Sequence, residues 1–126
     1  IMIEIPAIAL IADLAAEEVD FASIGSNDLT QYLSAADRMN PEVAAYYKSD
    51  STAMLRLLGF VFREFSKREK EISVCGEMAG NPETAQLLVG LGARKLSMSS
   101  GNIAGVKAKL AECTLQELTA LAEKKL

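Results

Sequence analysis

Histidine and tryptophan are absent from this chain of 126 residues. Without histidine, neither a Ser-His-Asp nor a Cys-His catalytic set can form within the chain, and no imidazole can bind a metal. Any chemistry routed through a phosphorylated histidine must draw that residue from elsewhere. Cysteine is scarce: Cys75 and Cys113 are far apart and show no C-x-x-C spacing, so there is no disulfide framework and no zinc site. Free thiols point to a cytoplasmic compartment. Long apolar runs are missing as well. The most apolar stretch, Ile5 to Ala16, contains Pro6 and Asp13 and falls short of the ~20 residues of a membrane span. Basic charge is thin, with a net charge of −4, which excludes a nucleic-acid surface of clustered Lys and Arg. The two basic groups, Lys67-Arg68-Lys70 and Lys124-Lys125, read as solvated helix ends. No signal peptide is visible. The chain opens on Ile1 inside an apparent strand, from which we expect it to be part of something longer.

What is present is an ordinary globular composition, 50% apolar and 24% charged. The pattern is strand then helix, four times over. Met2 to Ile5 is a short apolar run, and Ala7 to Glu17 then carries Ile8, Ile11, Ala12 and Ala15 at helical spacing. Phe21 to Gly25 reads as the second strand, followed by a short helix from Leu29 to Ala36 and a looser segment from Asp37 to Asp50. A long helix spans Thr52 to about Lys67, capped by Ser51 or Asp50, with Met54, Leu57, Leu58, Val61 and Phe65 on one face. Ile72 to Cys75 is the third strand. Asn81-Pro82 then opens a helix ending near Gly90. Leu96 to Ser99 is the fourth strand, and helices from Ile103 to Ala111 and Leu115 to Lys125 follow, the last opened by a Thr114-x-x-Glu117 capping box.

Alternating strands and helices predict an α/β fold with a parallel sheet and right-handed crossovers. Four βα units make either a small open sheet or half of a (β/α)8 barrel, whose full length is typically ~250 residues. A half-barrel is expected to leave two sheet edges and an apolar inner face uncovered.

Reactive groups in such folds gather at the C-terminal ends of the strands. Here those ends carry Glu4, then Gly25-Ser26-Asn27-Asp28, then Cys75-Gly76-Glu77, then Ser97-Met98-Ser99. Glu4 sits among Ile1, Met2, Ile3 and Ile5, so its carboxylate needs a proton, a cation or a metal. The alternative is an ion pair with a partner outside the chain. Asp28 offers a second hard oxygen ligand of the kind Mg²⁺ takes, or caps the next helix. Asn27 is either a cap of that helix or a ligand contact. Arg38 is either a surface residue paired with its neighbour Asp37 or a guanidinium fork for a carboxylate or phosphate. Cys75 is either a small buried hydrophobe or an acid-base thiol, with Gly76 beside it permitting close backbone approach. Cys113 has no comparable setting.

The segments Ile1-Met2-Ile3-Glu4-Ile5-Pro6, Phe21 to Tyr32 (FASIGSNDLTQY), Ala36-Asp37-Arg38 and Cys75 to Gly80 (CGEMAG) occur in order and at compatible spacing. Together they resemble Enzyme I of the bacterial phosphotransferase system, the phosphoenolpyruvate-protein phosphotransferase. Pyruvate phosphate dikinase and phosphoenolpyruvate synthase share the acidic strand end and the S-N-D-L-T-Q segment but usually differ after the C-G. The resemblance implies the C-terminal half of a TIM barrel that binds phosphoenolpyruvate (PEP) and releases pyruvate. It implies Glu4 and Asp28 as Mg²⁺ ligands, Asn27 and Arg38 as substrate contacts, and Cys75 as the acid that protonates the enolpyruvate methylene. It also implies a homodimer, and transfer to the phosphocarrier HPr through a histidine in an N-terminal domain not found here. The Tyr46 to Ser51 segment lacks the proline common in that family. Alone, the fragment is expected to be inactive. Two other readings are a non-enzymatic dimerisation or regulatory module, and a pyruvate-enolate lyase on a related magnesium barrel.

Overall fold

The computed structural model describes residues 1–126. Four strands, β1 (Met2–Ile3), β2 (Phe21–Gly25), β3 (Glu71–Cys75) and β4 (Lys95–Ser97), form one sheet in the order β1-β2-β3-β4. Every neighbouring pair is parallel, and each connection is helical. The helices are α1 (Pro6–Leu10), α2 (Ala12–Glu18), α3 (Ser26–Ser34), α4 (Thr52–Lys67), α5 (Glu77–Gly80), α6 (Pro82–Leu91), α7 (Ser100–Ala111) and α8 (Leu115–Glu123), with a 3₁₀ segment at Pro41–Tyr46. The expected α/β architecture of four βα units is present, consistent with part of a barrel.

Alternation along the strands decides where the core lies. Ile3, Ala22, Ile24 and Val74 point to one face and are buried there against α4 and its neighbours. On α4, Met54, Leu55, Leu58, Val61 and Phe65 are fully buried, and they recur three and four residues apart. The Ser51 side chain accepts the Met54 N–H, which satisfies one of the orphan donors at the helix start and stabilises it by roughly 1 kcal/mol. At the other end Glu64 accepts from Lys67 and Arg68, and Arg68 also reaches Glu17 at 2.9 Å, fastening α2 to α4. Helix α8 opens with the expected capping box between Thr114 and Glu117.

Several local expectations are corrected. The helix read from Ala7 to Glu17 is two helices, interrupted at Ile11, whose backbone (φ −112°, ψ 32°) leaves the α region. The short helix read from Leu29 begins at Ser26, because Gly25 takes the cap position. The fourth strand is displaced to Lys95–Ser97, and β1 ends at Ile3, which puts Glu4 just beyond it. The inner face is also more polar than expected. Cα partners Met2, Ser23, Ser73 and Lys95 form one row across it, and Lys95 pairs with Glu71 at 2.6 Å. Its strands bury apolar side chains on the helix side only; the alternate positions hold Met2, Phe21, Ser23, Glu71, Ser73, Cys75, Lys95 and Ser97. Exposed apolar side chains gather around β1 and the helices after it, at Ile1, Met2, Ile5, Leu10, Ile11 and Leu14, with Phe21 at the start of β2; Met2 and Phe21 are the apolar members of the inner face.

A candidate active site at the strand tips

The strand tips form a second row on the polar face. Gly25 is the Cα partner of Cys75, and Cys75 of Ser97. Ile3 pairs with Ile24, so Glu4 stands beside Gly25. A methyl group at position 25 would lie 3.0 Å from the Glu4 Cβ and 3.2 Å from its Oε2. Glycine therefore makes room for the Glu4 side chain at the tip of β2. Glu4 is partly exposed and joins none of the ion pairs of the structure.

The chain turns from β2 straight into α3, and its first turn is cross-braced to β3. Ser26 Oγ donates to the Cys75 carbonyl at 2.6 Å, and Thr30 Oγ1 donates to the Ser26 carbonyl at 2.7 Å. Asn27 does not cap α3. Its Oδ1 accepts the backbone N–H of Glu77 at 3.0 Å and so serves the start of α5, fifty residues on. Gly76 makes this possible. It sits at φ +101°, a region side-chain-bearing residues avoid, and a Cβ there would come 2.9 Å from Asn27 Oδ1.

Asp28 also leaves α3 uncapped, since no side chain caps that helix. Its Oδ1 lies 3.7 Å from Arg38 Nη2, with both side chains more than a third exposed. Arg38 is thus paired with Asp28 rather than with Asp37, which instead accepts the Met39 N–H. In such a setting the pair contributes at most about 1 kcal/mol to stability. It does, however, keep a cation beside the carboxylate. The Cys75 Sγ donates to the Ile24 carbonyl at 3.3 Å and is partly accessible. Next to this row a cleft of about 280 Å³ opens between Asn27, Glu77, Met98, Ser99 and Asn102. A larger cleft of about 420 Å³, around Lys70, Glu71, Arg94 and Lys95, lies at the opposite end of the strands and touches none of these groups.

Two residues at this rim were not singled out from the sequence. Glu77 opens α5 beside Gly76. Tyr47 donates its hydroxyl to the Asn27 carbonyl at 3.1 Å. Burial, and next the Glu77 carboxylate, raise the Tyr47 pKa above the usual phenol value, against an opposing effect of Arg38. Nothing in Ala44-Ala45-Tyr46-Tyr47 separates it from exposed Tyr46; only the fold does. No group of three or more His, Cys, Asp or Glu side chains is placed to enclose a metal. The rim carries three carboxylates, Glu4, Asp28 and Glu77, that do not close into one cage; such a set suits an ion that takes most of its oxygens from water and substrate.

A family model described as the PEP-binding domain of PEP-utilising enzymes matches residues 1–115. The chain belongs to that family. Relatives extend the sequence likeness across the whole chain. It is 48% identical over 126 residues to a multiphosphoryl transfer protein of Xanthomonas campestris, covering 100% of this chain and 15% of that protein. It is 44% identical over 123 residues to the phosphoenolpyruvate-protein phosphotransferase of Bacillus subtilis, covering 98% and 22%. The match to multiphosphoryl transfer protein 2 of Escherichia coli is 44% over 117 residues, covering 93% and 14%. The chain therefore spans less than a quarter of the length of these relatives. Phosphoryl chemistry drawn from PEP is thus the setting at family level. No helix is long and apolar enough to cross a membrane.

Proposed function

We propose that this chain is the C-terminal, PEP-binding part of a phosphoenolpyruvate-protein phosphotransferase, half of a TIM barrel whose phosphohistidine and HPr-binding domains lie outside it. The observation that carries the reading is the convergence at one end of the sheet. Glu4 stands against Gly25, Asp28 lies three residues further on, Arg38 reaches Asp28, and Cys75 is the Cα partner of Gly25. In this reading Glu4 and Asp28 hold Mg²⁺, a hard cation that neutralises charge on the transferring phosphoryl group. Glu4 brings a carboxylate with no cation of its own, which fits that role.

Asn27 presents its amide to the substrate while its Oδ1 holds α5 in place. Arg38 is a fork for the PEP carboxylate or phosphate, and its exposed position on Asp28 leaves it free to exchange partners. Cys75 faces the polar side of the sheet at the height of Glu4. There its S–H can be delivered to the methylene carbon after the phosphoryl group leaves, giving pyruvate. The thiolate left behind must be reprotonated for the next turnover. The phosphoryl group passes to a histidine of another domain and on to HPr, in a cytoplasmic homodimer. Alone, these residues supply half of a ring of ligands, so the isolated chain is expected to be inactive.

The test is PEP-dependent phosphorylation of HPr by the full-length protein. Glu4→Ala and Asp28→Ala should each remove magnesium-dependent turnover by a factor of a hundred or more (~10² for loss of one electrostatic contact to the transition state). Near-wild-type turnover in both variants would refute the assignment.

A further inference from the structure

The segment from Asp37 to Asp50 contains no buried residue; only Val43, Tyr47 and Ser49 are even partly covered. An exposed stretch of this kind gains little from the hydrophobic effect, so polar contacts must set its position. Asn40 accepts the Glu42 N–H and starts the 3₁₀ turn, but that contact is internal to the segment. Outward contacts near its start are Arg38 to Asp28 at 3.7 Å and the Arg38 N–H to Gln31 Oε1 at 3.2 Å. At its far end Asp50 lies 3.9 Å from Lys125, an exposed and weak pair. Between them Tyr47 O–H donates to the Asn27 carbonyl. The segment is thus fastened to α3 at Asn27, Asp28 and Gln31, the first two assigned above to ligands.

We infer that Tyr47 is a positioning residue of the PEP site: its hydroxyl fixes the Asn27 peptide and holds segment 37–50, with Arg38 at its head, against the strand tips. This rests on the proposed function. The contact is well suited to the task for three reasons. The phenol approaches the Asn27 carbonyl, leaving the Asn27 side chain to cap α5. The ring is rigid and amphipathic, so one hydrogen bond orders a whole turn. Its hydroxyl carries its proton at neutral pH, as a phenol ordinarily does, so the contact persists there. Tyr47 itself touches no reacting atom in this account and is not a catalytic residue.

The test is Tyr47→Phe, which keeps the ring and removes the donor. In the full-length phosphotransferase the KM for PEP should rise about five-fold, the factor corresponding to one neutral hydrogen bond, with kcat within two-fold of wild type. In the 126-residue chain, amide hydrogen exchange across residues 37–50 should accelerate while exchange on α4 stays unchanged. A variant that merely folds less well would lose kcat at unchanged KM, and that result overturns the inference. So does unchanged KM with unchanged exchange. If the wild-type protein does not consume PEP, the proposed function fails, and the exchange measurement alone still decides whether Tyr47 holds the segment.

Discussion

On the helix side of the sheet, the side chains of Ile3, Ile24, Val74 and Phe65 are completely buried and pack in one apolar cluster. On the other side and at the tips, Glu4, Ser23, Ser73 and Cys75 occupy the alternate positions of the same strands and are only partly covered. The two regions share one backbone, so a strand residue contributes either to cohesion or to chemistry according to parity alone. What steadies the second region is a set of hydrogen bonds between side chains and backbone: Ser26 donates to the Cys75 carbonyl, Asn27 accepts from the Glu77 N–H, and Tyr47 donates to the Asn27 carbonyl. The strand tips can therefore be altered chemically at small cost to the fold, while the α4 face cannot.

The largest effect that tests this division is Phe65→Ala. Phe65 is fully buried in the main core cluster, and its loss should cost about 3–5 kcal/mol through lost burial and the cavity left behind. Urea denaturation of the chain checks it, and a cost below about 1 kcal/mol would mean that the α4 face does not carry the fold. By contrast Asp28→Asn, at the rim, should move the denaturation midpoint very little, because its pairing with Arg38 is exposed.

The smallest effect lies at the edge of the core. Hydrogen bonding to Lys67 in the first place, and then to Arg68, holds the Glu64 carboxyl below its ordinary value of 4.5. A depressed carboxylate stabilises the fold above its unfolded pKa and loses that contribution as pH falls through the folded value. The wild-type melting temperature should thus drop on acidification below about pH 4.5, and Glu64→Gln should reduce that drop while lowering the melting temperature slightly at pH 7. Glu117, also depressed by its capping box, leaves part of the acid response in place. An unaltered acid response in Glu64→Gln would remove the Glu64 cluster from the account.

The strands were legible because punctuation and period agree: Gly25, Gly76 and the short apolar runs leave little choice. Ser51, the Asn81-Pro82 start and the Thr114 box are local devices, and they act where the sequence puts them. The break at Ile11 was not legible, because Ile8, Ile11, Ala12 and Ala15 keep helical spacing straight through it. Ser26, Asn27 and Asp28 are strong cap formers and so read as a loop, yet Gly25 takes the cap and all three enter the helix. The partners of Asn27 and Asp28 were hidden for a different reason. Glu77, Tyr47 and Arg38 come from other segments, and no local pattern records a contact that only the packing of the βα units creates.

The central claim is that the carboxylates of Glu4 and Asp28 share one divalent ion. Isothermal titration of Mg²⁺ and PEP into the full-length protein tests it most directly, with Glu4→Ala, Asp28→Ala and the double variant measured side by side. If one ion bridges both groups, either single change removes most of the magnesium-dependent PEP affinity and the double change adds little more. Independent, additive losses would instead put the two carboxylates at separate sites and contradict the account.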